Sequence, residues 1–478
     1  MDYVAHDAVG LAGLVESGEV TPGELLDQAL ALAQAWNPHI NALTGLRPER
    51  ARAAIAAGLP PGPLRGVPFL IKDLGLEAAD FPASAGSRLA AGTVHPGDAE
   101  LFARLCAAGL VTFGRTTTPE FGIGAVTEAA VYGGPTRNPW DRARSPGGSS
   151  GGAAAAVAAG IVPAAHGSDG GGSIRIPAAC CGLVGFKATR ARLPDGPFSG
   201  EGWGGMAIDG FLSRTLRDTA ALLDATHGPD EGAPYWPPPL GGSFRGALDR
   251  PPPRLRVALC ATTFEGDPVH PDCAAAARAA GALLESLGHR VEEARPQIDI
   301  RGMMSAWTRI VACGTALTVR RLLRGRPLAD DDIEPVARAA VELAAGIPGA
   351  DYLAAIDRIH AFGRAMARFF RDHDILLSPT LAEPPCLIGR FAHANWRWRD
   401  FVDYREGPEG IFAYSPFTAA FNASGQPAVS LPLHRTAGGL PVGVHLAARF
   451  GEDRLLMALC GEIERAAPWP TAPAPLPV

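Results

Sequence analysis

The chain has 478 residues, of which 47% are apolar and 19% charged, with a formal net charge of −6. That supplies a large core, and the negative balance without any Lys/Arg-rich run argues against a nucleic-acid partner. Residues 1–10 carry no basic segment followed by an apolar one, and the longest small-apolar stretch, 153–165, is broken by Gly160 and Pro163. Neither a secretory signal nor a membrane span of roughly 20 apolar residues is therefore expected.

In chain order, Thr21-Pro22-Gly23-Glu24 has the pattern of a capping box with proline in the first turn. Leu25, Leu26, Ala29, Leu30 and Ala33 then form one apolar helical face, and Asn37-Pro38 is expected to end it. Residues 67–71 are a short apolar run of the kind that makes a buried strand, with Lys72 at its end, and 111–114 make a second. Residues 229–253, rich in proline and glycine, predict a linker or long surface loop. Beyond it, 255–260, 272–287 and 290–293 predict a β-α-β unit. Residues 302–372 have a mostly helical pattern, 375–378 and 428–431 return to strand, and 452–466 predict a last amphipathic helix before an extended proline-rich tail. The alternation argues for an α/β chain.

The eight cysteines include no C-x-x-C pair, which fits reduced thiols in a cytoplasmic protein better than a disulfide framework. No spacing of His, Cys, Asp or Glu suggests a metal set, and no cofactor is called for. Only two of the 43 basic residues are lysine, Lys72 and Lys187. A lysine kept among arginines fits a role that arginine cannot fill, since a buried lysine can lose its proton and act as a base. Arginine-favouring codon usage explains the count equally well. Lys187, after the apolar run 183–186, is read as structural.

Two glycine–serine clusters carry the strongest chemical signal. The first is Gly147-Gly148-Ser149-Ser150-Gly151-Gly152 and the second is Asp169-Gly170-Gly171-Gly172-Ser173. Neither has the lysine of a phosphate-binding loop or the spacing of a dinucleotide fingerprint. Gly147 to Gly151 matches a nucleophile elbow in pattern, but no histidine, His166 included, stands in a context that marks a triad base.

The run 145–193, together with Gly66-Val67-Pro68-Phe69-Leu70-Ile71-Lys72-Asp73, 374–380, 421–428, Gly439-Leu440-Pro441-Val442-Gly443 and Glu452-Asp453, resembles the amidase signature family across essentially the whole chain. The resemblance implies a single amidase domain with a large, mixed, mostly parallel twisted sheet covered on both faces by helices. Within it, 1–60 is an N-terminal helical region, 61–228 the signature core, 229–254 the proline-rich loop, and 255–478 a C-terminal half with a helical pocket insertion at about 300–415. By the same resemblance Ser173 is the nucleophile, Ser149 the bridging serine behind a cis peptide, and Lys72 the base. Ser150, Ser168, Asp169 and Arg175 match supporting positions.

The physical logic stands beside the likeness. Serine needs an adjacent base to attack a carbonyl, and a neutral lysine acting through a second serine supplies one. Gly170, Gly171 and Gly172 let successive N–H groups converge as an oxyanion hole. Three positions depart from the family pattern, namely Gly170, Leu74 and the pair Lys187-Ala188, and none removes a reacting group.

Arg137-Asn138-Pro139-Trp140, the run 163–167 and Gly325-Arg326-Pro327-Leu328 resemble hydrolases of nylon-type cyclic amide oligomers. That points to a small, uncharged and fairly apolar amide, with aryl anilides and carbamates open as well. Phe121, Gly122, Ile123, Gly124 and Cys313 match pocket-lining positions of relatives, and Trp396 and Trp398 stand as cleft caps or as plain packing. Two other readings stay open: the A subunit of a tRNA amidotransferase, and a non-catalytic scaffold. Relatives are often dimers, so a homodimer is open too.

Overall fold

Thr21 opens its helix as the capping box predicts. Its hydroxyl accepts from Glu24 N at 3.2 Å while the Glu24 carboxylate accepts from Thr21 N at 2.8 Å, in the computed structural model that describes residues 2–476. The helix, Pro22–Ile40, does not stop at Asn37-Pro38 but runs one turn further, to a left-handed Asn41. Proline lacks one N–H, a small loss in a last turn whose neighbours are already capped by the Asn37 side chain, which accepts from Ala42 N and Leu43 N.

Among the described residues eleven strands form two sheets. β1 (Leu43–Thr44), β2 (Pro68–Lys72) and β3 (Val111–Thr116) make a small sheet in the order β1-β3-β2. The large sheet contains β4 (Ala164–Asp169), β5 (Val184–Lys187), β6 (Ile208–Ser213), β7 (Arg256–Leu259), β8 (Arg290–Glu293), β9 (Ile375–Pro379), β10 (Ala428–Arg435) and β11 (Pro441–Ala448). Its order is β4-β6-β5-β10-β11-β9-β7-β8. The sheet is mixed, as expected, but not mostly parallel. Only β9-β7 and β7-β8 pair in parallel, and the five pairings from β4 to β9 are antiparallel.

Connection length explains the correction. The β10–β11 link is a tight turn closed by Gly439 N to Thr436 O, which only antiparallel strands can share. The β7–β8 link carries the helix Pro271–Ser286, the crossover that a parallel pair requires. Apolar runs mark strands without recording their direction.

The span 300–415 holds three long helices, Ile300–Leu323, Pro335–Ala345 and Gly349–Phe369, and is then interrupted by β9. Residues 229–253 are irregular apart from the short helix Phe244–Leu248, and the tail is tied down where Ala474 N donates to Ala158 O. No single helix among the described residues is long and apolar enough to cross a membrane.

Two buried helices place the chemistry. Gly151–Ala158, glycine and alanine apart from Val157, is buried at every residue and packs against β2, β3, β4 and β6. Small side chains permit that approach: a Cβ on Gly152 would sit 2.4 Å from Thr117 N. Arg175–Cys181 packs equally deep against β5, β10 and β11. Ser149 and Ser173 each stand two residues before one of these helices.

Candidate active site

β2 delivers Lys72 into the space between the two helix starts. The side chain is fully buried, and its Nζ lies 2.7 Å from Ser149 Oγ and 2.9 Å from Ser168 Oγ. Burial lowers its pKa to about 7, against the opposing pull of Asp209 and Asp169. Lys187, equally buried and also lowered to about 7, donates only to the backbone carbonyl of Ala188 and touches neither serine.

The peptide Gly148–Ser149 is cis. Ser150 joins the two clusters, since its N donates to Ser173 O at 3.1 Å and its hydroxyl donates to Ser168 O and accepts from Ser168 N. Ser149 Oγ faces Gly122, where a Cβ would stand 3.4 Å from it. Among the described residues no hydrogen bond joins Ser149 Oγ to Ser173 Oγ; the drawn links are Lys72 to Ser149 and, through the backbone, Ser150 to Ser173.

Asp169 shapes the loop that carries Ser173. Its carboxylate accepts from Gly172 N at 2.8 Å and Ile174 N at 3.1 Å, from Arg175 Nη2 at 2.8 Å and Nε at 3.0 Å, and from Asn422 Nδ2 at 2.9 Å. Burial alone would raise this carboxyl, but Arg175 and the Asn422 amide hold it well below the usual carboxylate range. The Gly172 N–H is therefore already engaged. Gly170, Gly171 and Ser173 donate their N–H to no protein acceptor among the described residues, so the open donors are these three rather than residues 170–172.

The glycines are dictated by what covers them. Gly172 has φ +131°, and a Cβ there would meet Thr418 Oγ1 at 2.3 Å; a Cβ on Gly171 would meet the Trp307 ring at 1.9 Å. Gly170 lies under the Trp203 ring in the same way, so this departure from the family pattern makes room for an aromatic wall.

His166 plays a part that its local sequence did not suggest. Its Nδ1 accepts from Lys72 N at 3.2 Å, which leaves Nε2 to carry the proton toward Asp209 at 3.2 Å. This pair of a buried histidine and a partly buried aspartate holds the backbone at the lysine and contacts neither serine. Arg115 steadies the same strand end through Lys72 O, 2.7 Å from Nη1.

A narrow cavity opens beside Ser173. Gly122, Ile123, Gly124 and Gly171 line it, as do Trp203, Trp307, Arg405 and Phe412. Phe121 is buried in a left-handed conformation next to this wall without lining it, and Cys313 does not line it either. Trp398 is buried against Phe391 and Tyr404, while Trp396 is exposed, and neither reaches the cavity. The sequence reading missed the aromatic residues and Arg405, because no motif marks the turn that carries Trp203 or the helices that carry the others. Among the described residues no cluster of three His, Cys, Asp or Glu side chains gathers.

The Amidase family profile matches residues 24–457. A 6-aminohexanoate-cyclic-dimer hydrolase of Paenarthrobacter ureafaciens is 38% identical, over 97% of this chain and 95% of that protein. A solved structure of 6-aminohexanoate cyclic dimer hydrolase complexed with substrate superposes with a TM-score of 0.92 at 36% identity, covering 98% of each chain. A bacterial aryl acylamidase of the amidase signature family superposes at 0.89 with 29% identity over 99% of each. With a profile match along most of its length and relatives above 30% identity over nearly their whole chains, this protein belongs to the amidase signature family of hydrolases that cleave amide C–N bonds.

Proposed function

We propose that the chain hydrolyses a small amide or carbamate through an acyl-enzyme on Ser173, with Ser149 and Lys72 as its proton relay. The observation that carries this reading is the buried Lys72 ammonium, brought to a pKa of about 7 and hydrogen-bonded to Ser149 at 2.7 Å. Such a lysine has a neutral form available near neutral pH, so it can take the Ser149 proton while Ser149 takes that of Ser173. Ser173 Oγ attacks the carbonyl, and the N–H groups of Gly170, Gly171 and Ser173 receive the developing oxyanion. The relay run backwards protonates the leaving nitrogen, the harder half of amide cleavage, and water then releases the acyl group by the same route.

The aromatic wall of Trp203, Trp307 and Phe412 favours a substrate with an aryl or extended apolar part. The names of the relatives support cyclic amides and aryl amides as the first compounds to try, with aryl carbamates beside them.

Lys72→Arg keeps the charge and removes the neutral base, so kcat should fall by about 10³ or more; Ser149→Ala should fall comparably. Wild-type turnover in Lys72→Arg would remove the relay.

A further inference from the structure

One charged side chain stands in the wall of the catalytic cavity. Arg405 is 1% exposed, and its guanidinium carbon lies 4.1 Å from the ring centre of Trp307, 4.9 Å from Phe412 and 5.4 Å from Phe401. Nε donates to Thr308 Oγ1 at 3.2 Å, and Nη2 is buried without any acceptor. Among the described residues no carbonyl or carboxylate takes a hydrogen bond from either terminal nitrogen. Glu406, the next residue along, lines a different cavity. Burial lowers the guanidinium only to about 9, so it remains a cation at neutral pH.

The other buried arginines each give at least one terminal nitrogen to an acceptor, although Arg192 Nε and Arg214 Nη1 are also buried without one. Arg115 holds the carbonyls of Lys72, Leu76 and Phe81, Arg175 holds Asp169 and Asn422, and Arg192 holds Asp453. An unpaired buried cation is costly, and aromatic faces offset only part of that cost. The planar fork of N–H groups matches the two oxygens of a carboxylate. Trp307 Nε1, also buried without an acceptor, stands on the same wall as a second free donor.

We propose that Arg405 anchors a carboxylate carried by the substrate, so that the amide presented to Ser173 belongs to a molecule ending in that group. The proposal rests on the reading of Ser173 as nucleophile and departs from the uncharged substrate that the sequence resemblance suggested. Binding of the carboxylate would neutralise the buried charge and supply acceptors for Nη2 and the indole N–H, while the aromatic rings hold the apolar segment between carboxylate and amide.

Two measurements test it separately from the chemistry. The Ser173→Ala protein, which needs no turnover, is titrated by calorimetry with hexanoate and with hexanamide. Hexanoate should bind at least about tenfold tighter, and that preference should vanish in Ser173→Ala/Arg405→Met and return in part with Arg405→Lys, which keeps the charge if the methionine variant folds poorly. The wild-type enzyme is then assayed with mono-4-nitroanilides of succinic to suberic acid against counterparts in which isopropyl replaces the carboxylate. At least one chain length should show kcat/KM about ten- to hundredfold above its counterpart, through KM, with the ratio collapsing toward one in Arg405→Met.

Equal binding of hexanoate and hexanamide would overturn the proposal. So would an Arg405→Met effect that weakens both alike, because that outcome assigns the arginine to a neutral carbonyl. Arg405-dependent hexanoate binding without cleavage of any anilide would leave the anion site standing and count against Ser173 as nucleophile.

Discussion

Lys72 works only as far as its burial allows. The folded pKa lies near 7, well below the ordinary 10.5, and the base must be neutral to accept a proton. Below pH 7 the ammonium form dominates, so kcat/KM should fall by about tenfold per pH unit on the acid side of about 7 and level off above it. A profile flat down to pH 5 would contradict the assignment. The same shift acts on stability with a definite sign. Between pH 7 and 10.5 the unfolded lysine holds a proton that the folded one lacks, so stability rises with pH through that window and the full penalty applies below it. Lys72→Met, which loses activity, should therefore raise Tm by roughly 2–4 °C near pH 6 and by less near pH 10, as thermal unfolding would read.

At the scale of elements, the loop 169–174 is held by one carboxylate at its start. Asp169 accepts from backbone N–H groups on the loop, from the guanidinium of Arg175 and from the Asn422 amide. Asp169→Ala would leave Arg175 buried without its counter-ion, a loss of about 3–5 kcal/mol in denaturant unfolding, with activity falling as the Ser173 turn relaxes. Gly171→Ala tests the aromatic cover instead, since its methyl would lie 1.9 Å from the Trp307 ring. The expected result is a drop in kcat of about 100-fold or more, because Trp307 and an open N–H donor would both be displaced.

The whole molecule brings together two halves of the chain. Residues 122–125 with Gly171, Ser173 and Ile176 come from the first half of the chain, and Trp307, Arg405, Phe412 and Ser415 come from the second. The first half was legible in the sequence because the two glycine–serine clusters and the run ending in Lys72-Asp73 match ordered motifs of the family. Lys72 and Ser149 lie 77 positions apart, and the fold puts them in hydrogen-bond contact.

The second half was not legible, since an aromatic residue or an arginine on a helix looks like ordinary packing until its neighbours are known. Strand direction was lost for a similar reason: Val184–Lys187 and Ala428–Arg435 are recognisable as strands, but only the turns and crossovers decide how they pair. Pro38 gave a false stop because the cost of a proline depends on how near the helix end it falls.

The covalent step on Ser173 is tested most directly by intact-protein mass spectrometry during turnover of an activated aryl amide or aryl carbamate, with a serine-directed fluorophosphonate as a second probe. One adduct per chain is expected, mapped to Ser173 by peptide sequencing, absent in Ser173→Ala and formed far more slowly in Lys72→Arg. An adduct on another residue, or turnover of the amide that survives Ser173→Ala, would contradict it.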